Sequence, residues 1–517
     1  MKALLKDLKK IIPEKRILYD KRKIVYNYDA TGLYGKNSLV LFPLNEKEIS
    51  KILKYSKKYN IPVYPRGAGT GKSGNFIPLY NGIVICTLLM DKIKEINFKE
   101  RRIKSQAGII TEKIKKILEE NKFFYPPDPQ SYEISSIGGN VATNAGGPNS
   151  VKYGTTKDYV LSLKFVTADG EIIKAEKPTH KFVMGYGLKD LLCGSEGTLG
   201  IITEIDLKFL PLPEKEVFYI TEDSPCKITE VFKNGIIPSK AELFDDKILI
   251  GIDDKFKESE KVFKKIFKRI KRLNKREKKR YEKIRKEKSV SIWKEKGGKI
   301  SVDVCIPLSK TGDFLEFIRK FKNRVYIYGH LGSGNLHTNI LFNPENLKER
   351  EEIWKTRENV INFVLKIGGT CSGEHGTGIL YSKYLEKELG KKNYEIQKSI
   401  KKIFDPGSIL NRGKIFDKGK NFEKLKALYF EKKLEIIKLC TLCAICNKIC
   451  PLFEKYKREE ISPRGFVFFY NAGCRIQGKN YKRYFDFCLR CKKCFKICPN
   501  GVKIGEVIKK LRKVCFP

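Results

Sequence analysis

Apolar positions along the chain change rhythm from one stretch to the next, and each rhythm predicts an element. Residues 61–64 form a short apolar run. A polar, glycine-rich stretch follows, and then a β-rich run inside "NFIPLYNGIVICTLL". "YVLSLKFVTADGEII" repeats the layout of run, turn and run, which predicts two more strands. Val262, Phe263, Ile266, Phe267, Ile270 and Leu273 lie at helical spacing, so 255–288 is expected to be one amphipathic helix with a basic outer face. "VYIYGHLGSGNLHTNILF" flanks four turn residues, 332–335, with strand-like residues and predicts a hairpin. "NFEKLKALYFEKKLEIIKL" and the stretch around Pro463 read as helix. Strand-like and helical stretches thus both occur along the chain.

Length and composition narrow the picture. A chain of 517 residues predicts about three domains and can bury large cores without disulfides. No run is long and apolar enough to span a membrane. "MKALLKDLKK" lacks the apolar core of a signal peptide, so a cytoplasmic protein with at most peripheral membrane contact is expected. Lys and Arg number 105 against 60 acids, and 255–288 alone holds 18 positive residues against five acids. Without interleaved stacking aromatics or a nucleic-acid motif, this charge excludes nucleic acid as a partner and leaves a solvated face or an acidic protein.

Eight of the 15 cysteines fall in two runs. Cys440, Cys443, Cys446 and Cys450 precede Pro451; Cys488, Cys491, Cys494 and Cys498 repeat the spacing before Pro499. This is the bacterial ferredoxin run, in which the fourth Cys of each run ligates the other cluster. The expected ligands of one [4Fe–4S] cluster are Cys440, Cys443, Cys446 and Cys498. Those of the other are Cys488, Cys491, Cys494 and Cys450. Lys479, Lys482, Arg483, Arg490, Lys492, Lys493 and Lys496 make the surroundings of the second run basic, as a surface that steers an acidic electron acceptor would be.

The glycine-rich stretch "VYPRGAGTGKSGNFIP" contains a G-x-G-x-x-G from Gly69 to Gly74 and a Gly-Lys-Ser. A P-loop needs glycine where Arg66 stands, and a dinucleotide fingerprint needs a helix where a loop and a strand follow. A nest of amides can hold a phosphate without a helix; a plain glycine-rich turn is the alternative. Two further glycine-rich segments, 126–160 and 192–211, allow close approach of backbone to a flat or anionic ligand.

These segments, spelled RGAGTG (66–71), PPDP (126–129), IGGNVATNAGG (137–147) and GSEGTLG (194–200), resemble the FAD-linked oxidases of the vanillyl-alcohol oxidase/p-cresol methylhydroxylase fold, in the glycolate oxidase/D-lactate dehydrogenase branch. The resemblance runs from about residue 25 to 416. It implies an α+β chain: a helical segment 1–35, an FAD-binding domain of the p-cresol methylhydroxylase type at 36–213, and an α+β cap with an antiparallel sheet at 214–416, followed by an all-α two-cluster ferredoxin domain at 417–517. It implies that the first loop binds the FAD pyrophosphate, noncovalently because that loop has no His. The implied flavin contacts are Arg66, Gly67, Ala68, Gly69, Thr70, Gly71 and Ser73, then Pro127, Asp128, Ser136, Gly138, Gly139, Asn140, Thr143, Asn144, Gly146, Gly147 and Gly154, then Glu196, Gly197, Gly200, Ile201 and Asn411.

If 332–335 form the hairpin turn, Leu331 faces Leu336 and His330 faces His337, which lets two imidazoles bite one metal. Glu374 in "GGTCSGEHGTG" offers a third ligand, with His375 beside it. Two His and a carboxylate suit zinc, manganese or iron; two hydrogen-bonding strand histidines are the alternative. The resemblance implies the metal at His330, His337 and Glu374, His375 as catalytic base, and Lys296 and Asn339 as substrate contacts. FDPGSILNRGK (404–414) is the family's closing motif. Ser333 and Lys296 stand where relatives carry Asp and Arg, and the chain has no Cys-Cys-Gly repeats. The implied function is oxidation of a 2-hydroxy acid, D-lactate or glycolate foremost, to the 2-oxo acid. Electrons leave through both clusters to a separate protein, for which a Cys-Cys-Gly-repeat subunit is one candidate. The alternative is an electron-transfer flavo-iron–sulfur subunit without its own organic substrate.

Overall fold

The computed structural model describes residues 2–321, 324–427, 439–471 and 485–514. Two sheets build the flavin half. In the first, Ile17–Leu18, Leu39–Leu41, Ile83–Cys86 and Val63–Arg66 lie in that order, the last three parallel. Leu39–Leu41 and Ile83–Cys86 are buried throughout, as parallel strands covered on both faces must be. The helix Glu46–Lys58 follows Leu39–Leu41 and is capped by Asn45, whose side chain accepts the Glu48 N–H. The second sheet is antiparallel, in the order Ile172–Ala175, Val160–Val166, Ile201–Lys208, Arg102–Gln106, Ile93–Asn97. The closing motif returns to the first sheet: Val63 donates to the Ile409 carbonyl and Asn411 to the Val63 carbonyl, each at 2.7 Å.

The cap is a seven-stranded sheet in the order Ile270–Arg272, Val217–Thr221, Lys247–Ile252, Lys240–Phe244, Val325–His330, Asn335–Phe342, Gly298–Cys305. Its core joins Phe263, Trp293, Phe314 and Val360 to the sheet. The basic stretch is not one helix. It is a helix Phe256–Ile266, an edge strand Ile270–Arg272 paired with Tyr219–Thr221, and a second helix Lys275–Ser291. Phe263 and Phe267 are buried in the cap core, and the backbone of 270–272 then pairs beyond Val217–Thr221. Asn274 restarts the helix with a capping box to Glu277, a signal present in the spelling N-x-x-E.

The histidine hairpin turns one residue earlier than expected, over 331–334. His330 therefore opposes Asn335, and His337 opposes Tyr328. Moving the turn by one residue changes the pairing by two positions, which preserves the face. Both histidines still share one side of the ladder, as diagonal neighbours with ring centroids 5.4 Å apart.

Of the first 35 residues only Lys2–Lys9 is α-helical, and Ile17–Leu18 joins the flavin-half sheet. The cluster domain contributes the helices Ile445–Lys448, Pro451–Tyr456, Pro463–Asn471, Lys493–Ile497 and Ile504–Val514. The helix expected over 421–439 lies largely outside the described residues. Before that gap, Phe422–Lys424 is a 3-10 turn and Lys426–Ala427 pairs with Leu33–Tyr34. Among the described residues no helix is long and apolar enough to cross a membrane.

A ring stack and two ion pairs are among the contacts that hold the cluster domain on the flavin half. Tyr28 stacks on Phe468 with ring centroids 3.8 Å apart, and Lys448 pairs with Glu112 and Glu133 at 2.7 and 2.9 Å. Phe468 is fully enclosed. Phe468→Ala is expected to cost about 3–5 kcal/mol. The change should appear as a lower unfolding temperature and earlier proteolytic release of the C-terminal fragment; an unchanged unfolding temperature would remove the stack from the contacts that hold the junction.

Candidate functional site

The strand Val63–Arg66 ends in the loop 66–71, and the helix Ile137–Thr143 begins beside it. Ser136 caps that helix, its Oγ accepting the Gly139 N–H. A Cβ on Gly67 would come within 2.2 Å of this Oγ, so glycine is what lets the two loops meet. Arg66, Gly67, Ala68, Gly69, Thr70, Gly71, Ser136, Gly138, Gly139, Asn140, Thr143, Glu196, Gly197, Gly200 and Ile201 line one cleft, together with Asn75, Phe76, Gln130, Ser131, Glu374 and His375. The side chains from Asn75 to Ser131 carry no glycine signature, which is why sequence reading missed them.

The other expected flavin residues shape the cleft without lining it. Ser73 donates to the His375 carbonyl at 2.9 Å. Asn411 donates to the carbonyls of Asn75 and Glu196, each at 2.6 Å. Asp128 accepts the Asn149 N–H, and Gly147 packs on the Asp128 carbonyl. Asn144 and Gly154 end the helices Ile137–Thr143 and Ser150–Tyr153, and Gly146 lies beside Glu374. Pro127 is not among the lining residues.

The cap closes the cleft with the segment 373–378, clamped from two sides. Glu196 accepts the Thr377 and Gly378 N–H groups, at 2.6 and 2.9 Å, and its burial raises its pKa to about 7. Asp303 accepts the N–H groups of Glu374 and His375, at 2.7 and 2.8 Å, and the Asn335 side chain at 2.8 Å. Asp303 was not a sequence candidate.

Around Glu374 the histidines converge. His337 Nε2 is 3.4 Å from Oε1, and His330 Nε2 is 3.6 Å from Oε2. Both His330 Nε2 and Glu374 Oε2 are buried without a hydrogen-bond partner. On its far side His330 Nδ1 meets Glu242 at 2.8 Å, and Arg285 pairs with the same carboxylate at 2.5 Å. Burial disfavours the imidazolium of His330, but Glu242 and Glu374 outweigh it and lift the pKa to about 10. Orphaned imidazole and carboxylate atoms aimed at one another fit a divalent cation. A second compatible set, Asp303, His337, Glu374 and His375, has ligand atoms all within 4.8 Å. Asp303 in that set is already engaged by three N–H donors, so it fits better as the group that orients the others. Burial and the charge of Lys72 hold His375 at about 4 against Asp303, leaving it neutral.

His375 also opens onto a chamber of about 410 Å³ between cap and cluster domain. Lys72, Lys299, Ser301, Trp293, Trp354, Arg357, Cys443 and Lys448 line it. Burial, reinforced by Lys72, pushes Lys299 down to about 7, and its Nζ donates only to Ser289. Lys296 lines neither cavity, because it lies in the short helix Trp293–Lys296 before the strand that carries Lys299 inward. Asn339 is buried behind His337, donating to its carbonyl at 2.9 Å and accepting from Ser301 at 3.0 Å.

The eight clustered cysteines separate into two cavities. One is lined by Cys440, Cys443, Cys446 and Cys498, the other by Cys450, Cys488, Cys491 and Cys494. The second is open, with Cys491, Leu489 and Phe495 exposed and Arg490, Lys492 and Lys493 on its rim. Lys479, Lys482 and Arg483 lie outside the described residues.

Comparison with known proteins agrees with this geometry. Residues 38–176 match the model of an FAD binding domain, 249–415 that of the C-terminal domain of FAD linked oxidases, and 436–502 that of a 4Fe-4S dicluster domain. The chain is 32% identical over 428 residues to glycolate oxidase subunit GlcD of Bacillus subtilis, covering 75% of this chain and 91% of that one. It is 32% identical over 409 residues to a D-lactate dehydrogenase of Archaeoglobus fulgidus, covering 73% and 91%. Among solved structures, p-cresol methylhydroxylase with substrate bound superposes with a TM-score of 0.65 at 13% identity, over 80% of this chain and 96% of that one; this shows the fold. The chain belongs to the FAD-linked oxidase family and carries a 4Fe-4S dicluster domain on the same polypeptide.

Proposed function

We propose that the protein is a flavin-dependent dehydrogenase that oxidises a small 2-hydroxy acid, D-lactate or glycolate foremost, to the 2-oxo acid. It then passes the electrons through two [4Fe–4S] clusters to a separate protein. The observation that carries this reading is His375: a neutral imidazole that lines both the glycine-rich cleft and the adjoining cationic chamber.

When bound, FAD supplies the acceptor for the C2 hydride, and a divalent cation supplies Lewis-acid polarisation of the substrate hydroxyl. The residues that would hold FAD are the loop 66–71 and the helix start at Ser136–Gly139; those for the cation are His330, His337 and Glu374. His375 takes the hydroxyl proton, with Asp303 3.5 Å from its Nδ1 to fix the ring. Lys299 and Lys72 receive the substrate carboxylate in place of Lys296; neither has a carboxylate partner among the described residues. Cys440, Cys443, Cys446 and Cys498 would hold the enclosed cluster and the other four cysteines the exposed one. The exposed cluster's cationic rim suits an acidic acceptor.

The direct test is anaerobic addition of single 2-hydroxy acids to the purified protein. D-lactate or glycolate should bleach the flavin without any partner, and His375→Gln should slow bleaching by about 10²–10⁴-fold with flavin content unchanged. A flavin that no 2-hydroxy acid reduces would refute the reading and favour a relay of electrons from another protein.

Metal removal separates the cation from the flavin. Complete chelation, or His337→Ala, should abolish substrate-driven bleaching and leave the flavin absorption spectrum in place. Full-rate bleaching by metal-free protein would eliminate the cation's role.

The Lys299 assignment predicts a pH profile. The carboxylate binds the protonated amine, which the free enzyme holds below about pH 7 and loses above it. The ratio kcat/KM should therefore fall as pH rises through this value. Lys299→Arg keeps its charge over the range and should flatten that limb; an unchanged limb in the variant would point to another group.

A further inference from the structure

One side chain of the cluster domain reaches the glycine-rich loop 66–71 of the flavin half. Arg464, the second residue of the helix Pro463–Asn471, is fully enclosed. Its Nη1 donates to the Gly69 carbonyl at 3.0 Å and its Nη2 to the Ala68 carbonyl at 2.9 Å. Nε and Nη2 also donate to Glu459 at 2.7 Å, and Glu459 is held in turn by the Tyr28 hydroxyl at 2.9 Å.

Ala68 and Gly69 belong to the loop that lines the cleft. In a planar trans peptide the C=O and the following N–H point in opposite directions. Two carbonyls pinned toward the cluster domain therefore turn the N–H groups of Gly69 and Thr70 the other way, toward the cleft that both residues line. Among the described residues neither N–H has a hydrogen-bond partner. Gly69 sits at φ +69°, where successive N–H groups can converge into a nest for an anion.

We propose that Arg464 is a positioning residue of the flavin site: it holds the 66–71 loop with two N–H donors presented to the FAD pyrophosphate. Arg464 does not touch the dinucleotide; it acts through the peptide planes between them. The inference rests on reading this loop as the pyrophosphate site. Arg464 also lines the cavity of Cys440, Cys443, Cys446 and Cys498. FAD binding and the docking of the cluster domain thus stabilise one another, and this linkage acts equally in both directions.

The test uses the full chain with clusters intact, stripped of flavin in concentrated bromide and titrated with FAD. Arg464→Lys keeps a point charge but cannot fork to two carbonyls. It is expected to raise the Kd for FAD by about tenfold or more, with iron content and the EPR signal of the reduced clusters unchanged. Arg458→Met, at the same junction but without a bond to the loop, should leave the Kd unchanged. In the wild type, saturating FAD should slow iron release to a chelator, and Arg464→Lys should lose that protection. Gly139→Leu, which places a side chain in the cleft, separates the two ideas. If it abolishes FAD binding while Arg464→Lys binds FAD as the wild type does, the inference is overturned and the cleft assignment stands. If Gly139→Leu also binds FAD normally, the cleft assignment fails and the inference with it.

Discussion

A guanidinium enclosed in a domain junction must have its donors satisfied, because an orphaned buried charge costs far more than a paired one returns. Arg464 meets this constraint with one carboxylate of its own domain and two carbonyls of the other. The rest of the junction follows from that arrangement. Glu459, which balances the charge, needs further donors and takes them from Tyr28 and Ser462. Tyr28 is then fixed in plane to stack on Phe468, and neighbouring Tyr26 donates to Glu460. The N-terminal segment is the strap between the two halves: it is a sheet edge at Ile17–Leu18 and a binding surface for the cluster domain ten residues later.

A second buried carboxylate does comparable work in the cap. Among the described residues Asp303 has no Lys or Arg partner; backbone N–H groups and an amide stabilise it instead. Because those N–H groups belong to Glu374 and His375, satisfying the aspartate also sets the direction of both side chains. Glu196 repeats the device from the flavin half, through Thr377 and Gly378. The segment that carries the proposed base is thus held between carboxylates of two domains. Its geometry then depends on the cap and flavin half being docked, which suits a site whose substrate lies at their boundary.

Much of this was legible in the sequence, and the limits have physical causes. Cysteine spacing anticipated how the eight cysteines divide between two cavities, because the ferredoxin run pairs the fourth Cys of one run with the first three of the other. Glycine loops announced the cleft, since only glycine tolerates approaches such as that of Gly67 to Ser136. Helical spacing misled at 255–288: an edge strand of three residues adds too few positions to break an apolar count, whereas the N-x-x-E at Asn274 marked the true restart. The hairpin was misplaced by one residue, yet the histidines stayed on one face because the shift changed the pairing by an even number. Asp303 and Arg464 were invisible because both act on backbone groups far away in the chain, and single charged residues have no period to read. Lys299 was passed over for Lys296 because the resemblance marked the position where relatives carry Arg, while strand direction decides which lysine faces the cavity.

The proposed base and the proposed electron carriers meet at one cavity. His375 faces a chamber lined by Lys72 and Lys299, with Cys443 on the cluster-domain side. The cavity of Cys440, Cys443, Cys446 and Cys498 adjoins that chamber through Cys443 and the flavin-half loop through Arg464, which reaches from its lining to the loop carbonyls. Of the eight clustered cysteines, Cys491 in the second set is the exposed one. A carrier buried behind the flavin loop exchanges electrons with its neighbours and not with molecules in solution, whereas one at the surface can meet a partner. With clusters in both cysteine cavities, as proposed, the order flavin cleft, buried cysteines, exposed Cys491 would set a direction for electron flow that no single domain in the chain possesses.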